Sequence, residues 1–173
     1  MYFKNFANIT YGNKKAKNIM ARPKIVDDVL SNTEAFYDYI IPEGFRAEQV
    51  ADLYYDNPEY VWLIYLCNNI VDPYYDWPLT QTEFDQYLTD KYGSIEAAKT
   101  QNIHYKNKTT GALISPDTYT LNGTFGKILA SDYEELSAYT FEHDANEAKR
   151  NIRLIDKRFA SQMKSALKQT MNA

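Results

Sequence analysis

The chain has a single cysteine, Cys67, in 173 residues. No intramolecular disulfide can form, so nothing marks a small bridged scaffold of the secreted type. There are two histidines, His104 and His143, and neither stands in an HExxH, CxxC or similar spacing, so a zinc site has nothing to build on. Both read as histidines on strand surfaces. Residues 122–127, Asn-Gly-Thr-Phe-Gly-Lys, are faintly glycine-rich but lack phosphate-loop spacing and a helix start. No serine or cysteine sits in a nucleophile-elbow pattern. Carboxylates are plentiful, yet nothing in their order sets the separation a glycosidase pair needs. The longest apolar run covers residues 60–67, too short to span a bilayer. No apolar stretch follows the basic N-terminus, so it does not read as a secretory signal. The expectation is a chain with no catalytic residues, no cofactor, no metal, no small-molecule substrate and no membrane segment.

Tyrosine is abundant, at 16 residues. Its ring supplies apolar area and its hydroxyl a polar tip, a combination enriched at protein interfaces. Charge is unevenly laid out. Residues 1–26 hold six basic and no acidic residues, residues 149–173 hold seven basic and one acidic, and residues 27–148 hold six basic and 22 acidic. Two basic ends flank an acidic body. They either pair within the molecule or dock on acidic neighbours. A pI of about 5.2 argues against nucleic acid as the partner.

The densest local information lies in residues 36–92. Tyr37, Tyr39 and Ile41 alternate with Phe36, Asp38 and Ile40, as in a strand. Pro42-Glu43-Gly44 signals a turn. Ala47, Val50, Ala51 and Tyr54 then recur at helical spacing over residues 46–54. Asn57 can cap the next helix, Pro58 suits its first position and Glu59 its positive end. Residues 61–67 are apolar or aromatic throughout, so a helix there is buried on most sides and Cys67 is a small buried hydrophobe. Trp62 reads as core. Glu83, Phe84, Tyr87, Leu88 and Tyr92 give a third helix stopped by Gly93, and Ser94 can cap a short helix to Lys99.

The flanks read less sharply. Residues 1–34 form an extended arm with scattered aromatics, Tyr2, Phe3, Phe6 and Tyr11, and a turn signal at Gly12-Asn13. Ile103 and Tyr105 start a hairpin that turns at Thr110-Gly111 towards residues 112–114. Asn122-Gly123 signals a second hairpin, between residues 119–121 and Phe125. Tyr139, Phe141 and His143 alternate as a strand, residues 144–150 read as a polar turn or short helix, and residues 152–155 as another strand. Asp156 caps a final helix whose stripe of Phe159, Met163 and Leu167 is narrow enough to dock in a partner's groove.

These residues also carry a resemblance. A strand, a Pro-Glu-Gly turn, Arg46-Ala47-Glu48-Gln49-Val50-Ala51 in a helix and a second helix ending in asparagine are similar to a LysM-type βααβ unit. Tyr54-Tyr55-Asp56-Asn57-Pro58-Glu59-Tyr60-Val61-Trp62, then Cys67-Asn68-Asn69-Ile70, then Asp72-Pro73-Tyr74-Tyr75-Asp76-Trp77-Pro78-Leu79 resemble the baseplate wedge subunit of contractile-tailed bacteriophages that carries a LysM-like domain. Asn146-Glu147-Ala148-Lys149-Arg150-Asn151-Ile152 and the terminal helix look like the same family. The resemblance implies a virion protein of the tail baseplate, assembled in the host cytoplasm. Its implied partners are other wedge subunits and sheath-side proteins of the inner ring, in a six-fold multi-copy assembly.

The expected fold is α+β: an extended basic arm (1–34), a LysM-like βαα(β) domain with an extra helix (35–99), a hairpin region (100–136) and a C-terminal strand with a basic helix (137–173). The expected interface residues are Tyr2, Phe3, Phe6, Tyr11, Arg22, Tyr74, Tyr75, Trp77, Arg150, Arg153, Arg158, Met163 and Leu167. The alternative is a LysM-type module binding peptidoglycan or another glycan, with Trp62, Trp77, Tyr74 and Tyr75 as a stacking platform. The loop after the first strand lacks the Gly-Asp-Thr run of wall-binding units, which favours assembly. A small hydrolase ranks third, for want of any nucleophile, metal or acid–base spacing.

Overall fold

The computed structural model describes residues 8–18 and 35–172. In chain order the elements are strands β1 (Asn8–Tyr11), β2 (Lys14–Lys17) and β3 (Phe36–Ile40), then helices α1 (Ala47–Tyr55), α2 (Val61–Cys67) and the short α3 (Pro73–Asp76). Next come α4 (Gln81–Tyr92), α5 (Ile95–Thr100), β4 (Asn102–Asn107), β5 (Leu113–Ile114), α6 (Pro116–Thr124), β6 (Tyr133–Ser137) and α7 (Ala138–Ala148). Strand β7 (Asn151–Ile155) and helix α8 (Lys157–Asn172) end the chain. The class is mixed α and β with separate antiparallel sheets, as expected. The chain divides into two units, one of residues up to 78 together with 149 onwards, the other of residues 79–148. These limits differ from the four segments read from the sequence; the extra helix α4 belongs with the second unit.

In the first unit, β3 pairs antiparallel with β7, in the register Tyr37 to Leu154 and Tyr39 to Ile152. Directly opposed residues share a face. Tyr37, Tyr39, Ile152 and Leu154 therefore lie on one side, and Phe36, Asp38, Asn151 and Arg153 on the other. Ile41, Ile152 and Leu154 are buried with Val50 and Ala51 of α1 and Leu63, Ile64 and Cys67 of α2. Leu63 and Ile64 are fully enclosed, each contributing about 1.5–3 kcal/mol by leaving water.

Local chemistry fixes the helix ends. Gly44 takes φ 75° in the turn after β3, a left-handed geometry glycine adopts without strain. The Arg46 amide donates to Gln49 Oε1 at 2.8 Å at the start of α1, half of a capping box. Asn57 Oδ1 accepts the Glu59 amide at 2.8 Å, and Pro58 opens the one-turn 3-10 segment that leads into α2. Strand β7 supplies the partner that β3 lacks locally. It lies beyond the whole second unit in sequence.

The sequence reading of α8 needs correction. Met163, Leu167 and Ala160 are buried, and Ala160 and Met163 join the core of α1, α2 and β7. The apolar stripe is the helix's contact with its own fold, so Met163 and Leu167 are not available as docking residues.

The second unit buries Phe84 and Leu88 of α4, Ala98 of α5 and Ala138 of α7, with Ile103 and Tyr139 packed around them. Strand β4 is central, between β5 and β6. Two expectations fail here. The Asn122-Gly123 hairpin is instead the last turn of α6, because Ser115 Oγ accepts the Thr118 amide at 3.2 Å and Pro116 occupies the first helical position. Tyr119 on that helix stacks on Tyr105 with centroids 3.7 Å apart. The strand read at Tyr139, Phe141 and His143 is helix α7. Ser137 Oγ accepts the Thr140 amide at 3.2 Å, and the Tyr139 and His143 rings stack one helical turn apart at 5.9 Å. His143 is thus a helical residue packed on Phe84, while His104 lies on β4 beside Phe141.

Candidate protein interface

The residues between α2 and the second unit form a rigid aromatic projection. Asp72 Oδ1 caps α3 through the Tyr74 amide at 3.0 Å, and Pro73 fills the first position. Asp76 closes the loop by accepting the Val71 and Asp72 amides, each at 3.0 Å. Those two amides, from Asp72 and then Val71, hold its carboxyl below the usual carboxylate range. Trp77 Nε1 donates to the Phe45 carbonyl at 2.9 Å, and its ring meets Tyr65 edge-on at 6.3 Å. Lys149 Nζ donates to the Tyr75 carbonyl at 2.6 Å. Trp77 therefore faces inward as an anchor, while Tyr74 and Tyr75 point outward.

Tyr74 is 78% exposed, Tyr75 69% and the adjacent Val71 73%. The two tyrosine rings meet edge to face, 5.1 Å apart. Large rings held in place by a braced loop lose little entropy when they are buried by a partner. An open depression of about 260 Å³ lies alongside, lined by Asn68, Asn69, Ile70, Asp76, Lys149, Asn151 and Ile152. Its lining mixes hydrogen-bonding groups with two isoleucines. Val71 was missed by sequence reasoning. Its signal was position, one residue before the Asp72-Pro73 cap.

Several basic C-terminal residues pair within the first unit. Arg150 is ion-paired with Glu43 and lies beside the Ile41 carbonyl at 3.5 Å. Lys157 lies 3.8 Å from Asp56. Arg153 sits over the Phe36 ring at 5.3 Å, and its backbone is held by Asn68. Arg158 pairs with Asp156 at 2.7 Å. The guanidinium and amide of Arg158 hold the Asp156 carboxyl at about 2. Pairing within the molecule thus accounts for Arg150 and Arg158, while most of the Arg158 side chain still faces solvent.

Tyr11 is 82% exposed on the β1–β2 hairpin, which turns at Gly12 with φ 58°. The structure brings together Tyr74, Tyr75, Trp77 and Lys149, and it separates Met163 and Leu167 from any surface role. Tyr2, Phe3, Phe6 and Arg22 lie outside the described residues. Among the described residues no group of three His, Cys, Asp or Glu side chains gathers to hold a metal, and no helix is long and apolar enough to cross a membrane.

Tyr74 and Tyr75 thus form a braced, outward-facing aromatic pair on the first unit. Comparison with known proteins gives the family: the profile described as Base plate wedge protein 53 matches residues 1–115, and the chain belongs to that family. It is also 35% identical over 57 residues to the baseplate wedge protein gp53 of Enterobacteria phage T4, an alignment covering 33% of this chain and 29% of that protein. The aligned stretch thus spans less than a third of the T4 protein's length.

Proposed function

We propose that the chain is a structural subunit of a contractile-tail baseplate wedge, joining wedge proteins into the baseplate ring through protein–protein interfaces. The observation that carries this reading is the family match across residues 1–115. The exposed, braced pair Tyr74 and Tyr75 supports it, because fixed aromatic side chains are the usual anchors of protein interfaces. The partners in this reading are other wedge subunits and sheath-side proteins of the inner ring, in six-fold arrangement within the virion tail. Assembly takes place in the host cytoplasm. The role is mechanical rather than catalytic: composite interfaces hold the ring until host contact triggers its rearrangement.

The first unit serves as a LysM-like rigid body in this proposal. The order β3, α1, α2, β7 with antiparallel strands supports that view. Residues 79–148 then stand as an insertion between the second helix and the second strand. The glycan-binding alternative gains no support from the family or from the T4 relative.

The test is reconstitution from purified wedge components, scored by electron microscopy for closed rings. Rings are expected with the full chain and not without it. A chain lacking residues 1–20 is expected to keep the circular dichroism of the central unit and to fail in ring formation. Closed rings formed without the chain sink the proposal.

A further inference from the structure

The bonds that hold the aromatic projection differ in reach. Asp72 Oδ1 accepts the Tyr74 amide, Asp76 Oδ2 accepts the Val71 and Asp72 amides, and the Asp72 carbonyl accepts the Asp76 amide at 2.8 Å. All of these lie within residues 71–76. They fix the form of the loop but not its direction. Its two ends are tied to the first unit. The Ile70 amide donates to the Tyr65 carbonyl at 2.9 Å, and Trp77 Nε1 donates to the Phe45 carbonyl at 2.9 Å.

Between those ends stands α3, a helix of four residues that carries both tyrosines. So short a helix has little stability of its own, and every helix leaves its last carbonyls without intrahelical partners. Basic side chains in the last turn commonly bond such carbonyls and suit the negative end of the helix. α3 has no basic residue there. Lys149 supplies one from 74 residues away: its Nζ donates to the Tyr75 carbonyl at 2.6 Å. Lys149 stands just before β7, so this bond ties the turn to the return strand of the β3–β7 sheet. It is made to backbone, and both rings stay exposed.

We infer that Lys149 is a positioning residue for the Tyr74–Tyr75 pair: it caps α3 from outside the loop and so sets the direction in which both rings project. Its consequence for ring assembly rests on the reading of that pair as an assembly contact. Its effect on the rings themselves does not. A pair held in one direction meets a partner with less entropy to lose than a pair on a turn free to swing.

Two measurements on the full chain test it. The first is fluorine NMR of fluorotyrosine-labelled protein, with the signals of residues 74 and 75 assigned from Tyr74→Ser and Tyr75→Ser. Lys149→Met keeps the apolar stem and removes the donor. It is expected to shift those two signals, while the other tyrosines and the melting temperature stay with the parent. Lys149→Arg keeps a charged donor and is expected to hold the signals near the parent's. The second is reconstitution with wedge components, which gives the chain concentration that half-fills the rings. Lys149→Met should raise it several-fold and Lys149→Arg should not. Parental ring signals in Lys149→Met overturn the inference, even with weakened assembly, since Lys149 would then touch the partner itself. Early melting of Lys149→Met overturns it too, by making the residue a support of the fold, as does an arginine variant that shifts the signals as far as methionine. Shifted signals together with a Tyr74→Ser, Tyr75→Ser chain that assembles normally would uphold the positioning and remove the pair from the interface.

Discussion

Asn68 holds Arg153 by two hydrogen bonds, amide to side-chain oxygen and side-chain nitrogen to carbonyl, across 85 residues of sequence. The same Nδ2 group lies 2.9 Å from the Ile64 carbonyl. One side chain therefore ends α2, closes an edge of β7 and joins the start of the first unit to its return strand. The second unit repeats the device with Asn146, which accepts the Leu79 amide at 2.8 Å and donates to the Leu79 carbonyl at 3.1 Å. Asn68→Ala should cost about 1–2 kcal/mol, the sum of modest net hydrogen bonds to partly solvated groups. Asn68→Asp keeps an acceptor but removes both donors, and should do no better. Denaturant melts check the energy, and amide exchange at Arg153 should quicken in Asn68→Ala, which removes the acceptor of that amide. Unchanged exchange there would mean the amide is protected by something else.

Cys67 is expected to be inert in the folded chain. Burial pushes its thiol up to about 12, with Arg153 acting weakly in the other direction. The thiolate is the reactive species, so almost none is present near neutral pH. A disulfide reagent should label no thiol in native protein and one per chain in denaturant. Fast labelling of the native chain would place Cys67 outside the core.

Acid should weaken the second unit through Glu142. Burial alone would raise its pKa, but hydrogen bonds from Lys91, Tyr92 and Tyr87 outweigh it and leave the carboxyl below its usual value. A depressed folded pKa adds stability that is full above the unfolded value of about 4.3 and is lost as pH falls through the folded one. Melting temperature should therefore fall below about pH 4.3. Glu142→Gln should lower it at neutral pH and flatten this part of the pH profile. A variant with the parent's profile would assign the acid sensitivity to other carboxylates.

How far the sequence could be read depended on whether local chemistry and packing agreed. Asn57-Pro58-Glu59 and Ser94 announced helix starts that the structure keeps, because each cap is bonded within three residues. At residues 115–124 two local signals competed. Ser115-Pro116-Asp117 favoured a helix and Asn122-Gly123 a hairpin, and the stack of Tyr119 on Tyr105, which no local rule could supply, sides with the helix. At residues 138–148 a period of two in the aromatics masked a period of four in Ala138, Glu142 and Asn146, whose partners Lys91 and Leu79 lie far away in sequence. The stripe on α8 looked too narrow for a core because α1 and α2, which share its core, are distant along the chain. The exposure of Tyr74 and Tyr75 was legible for the opposite reason: the Asp72-Pro73 cap fixes their loop locally.

The sharpest separation of folding from assembly lies within three residues of one loop. Tyr74 and Tyr75 project outward, and their loop keeps its shape through Asp72, Asp76 and Lys149, none of which bonds a tyrosine hydroxyl. Tyr74→Ser with Tyr75→Ser should change stability by no more than about 0.5 kcal/mol, the usual range for exposed positions. Trp77 has the opposite character. Its ring packs on the core and its Nε1 is bonded to the Phe45 carbonyl, so Trp77→Ala should cost about 1–3 kcal/mol, less than a fully enclosed tryptophan. In reconstitution the double tyrosine variant should melt like the parent yet fail to enter rings. The tryptophan variant should melt early and regain incorporation when assembled at low temperature. If the tyrosine variant assembles normally, the aromatic projection is not an interface and ring contacts must be sought elsewhere on the chain. If it melts early, Tyr74 and Tyr75 support the fold and their exposure has been misread.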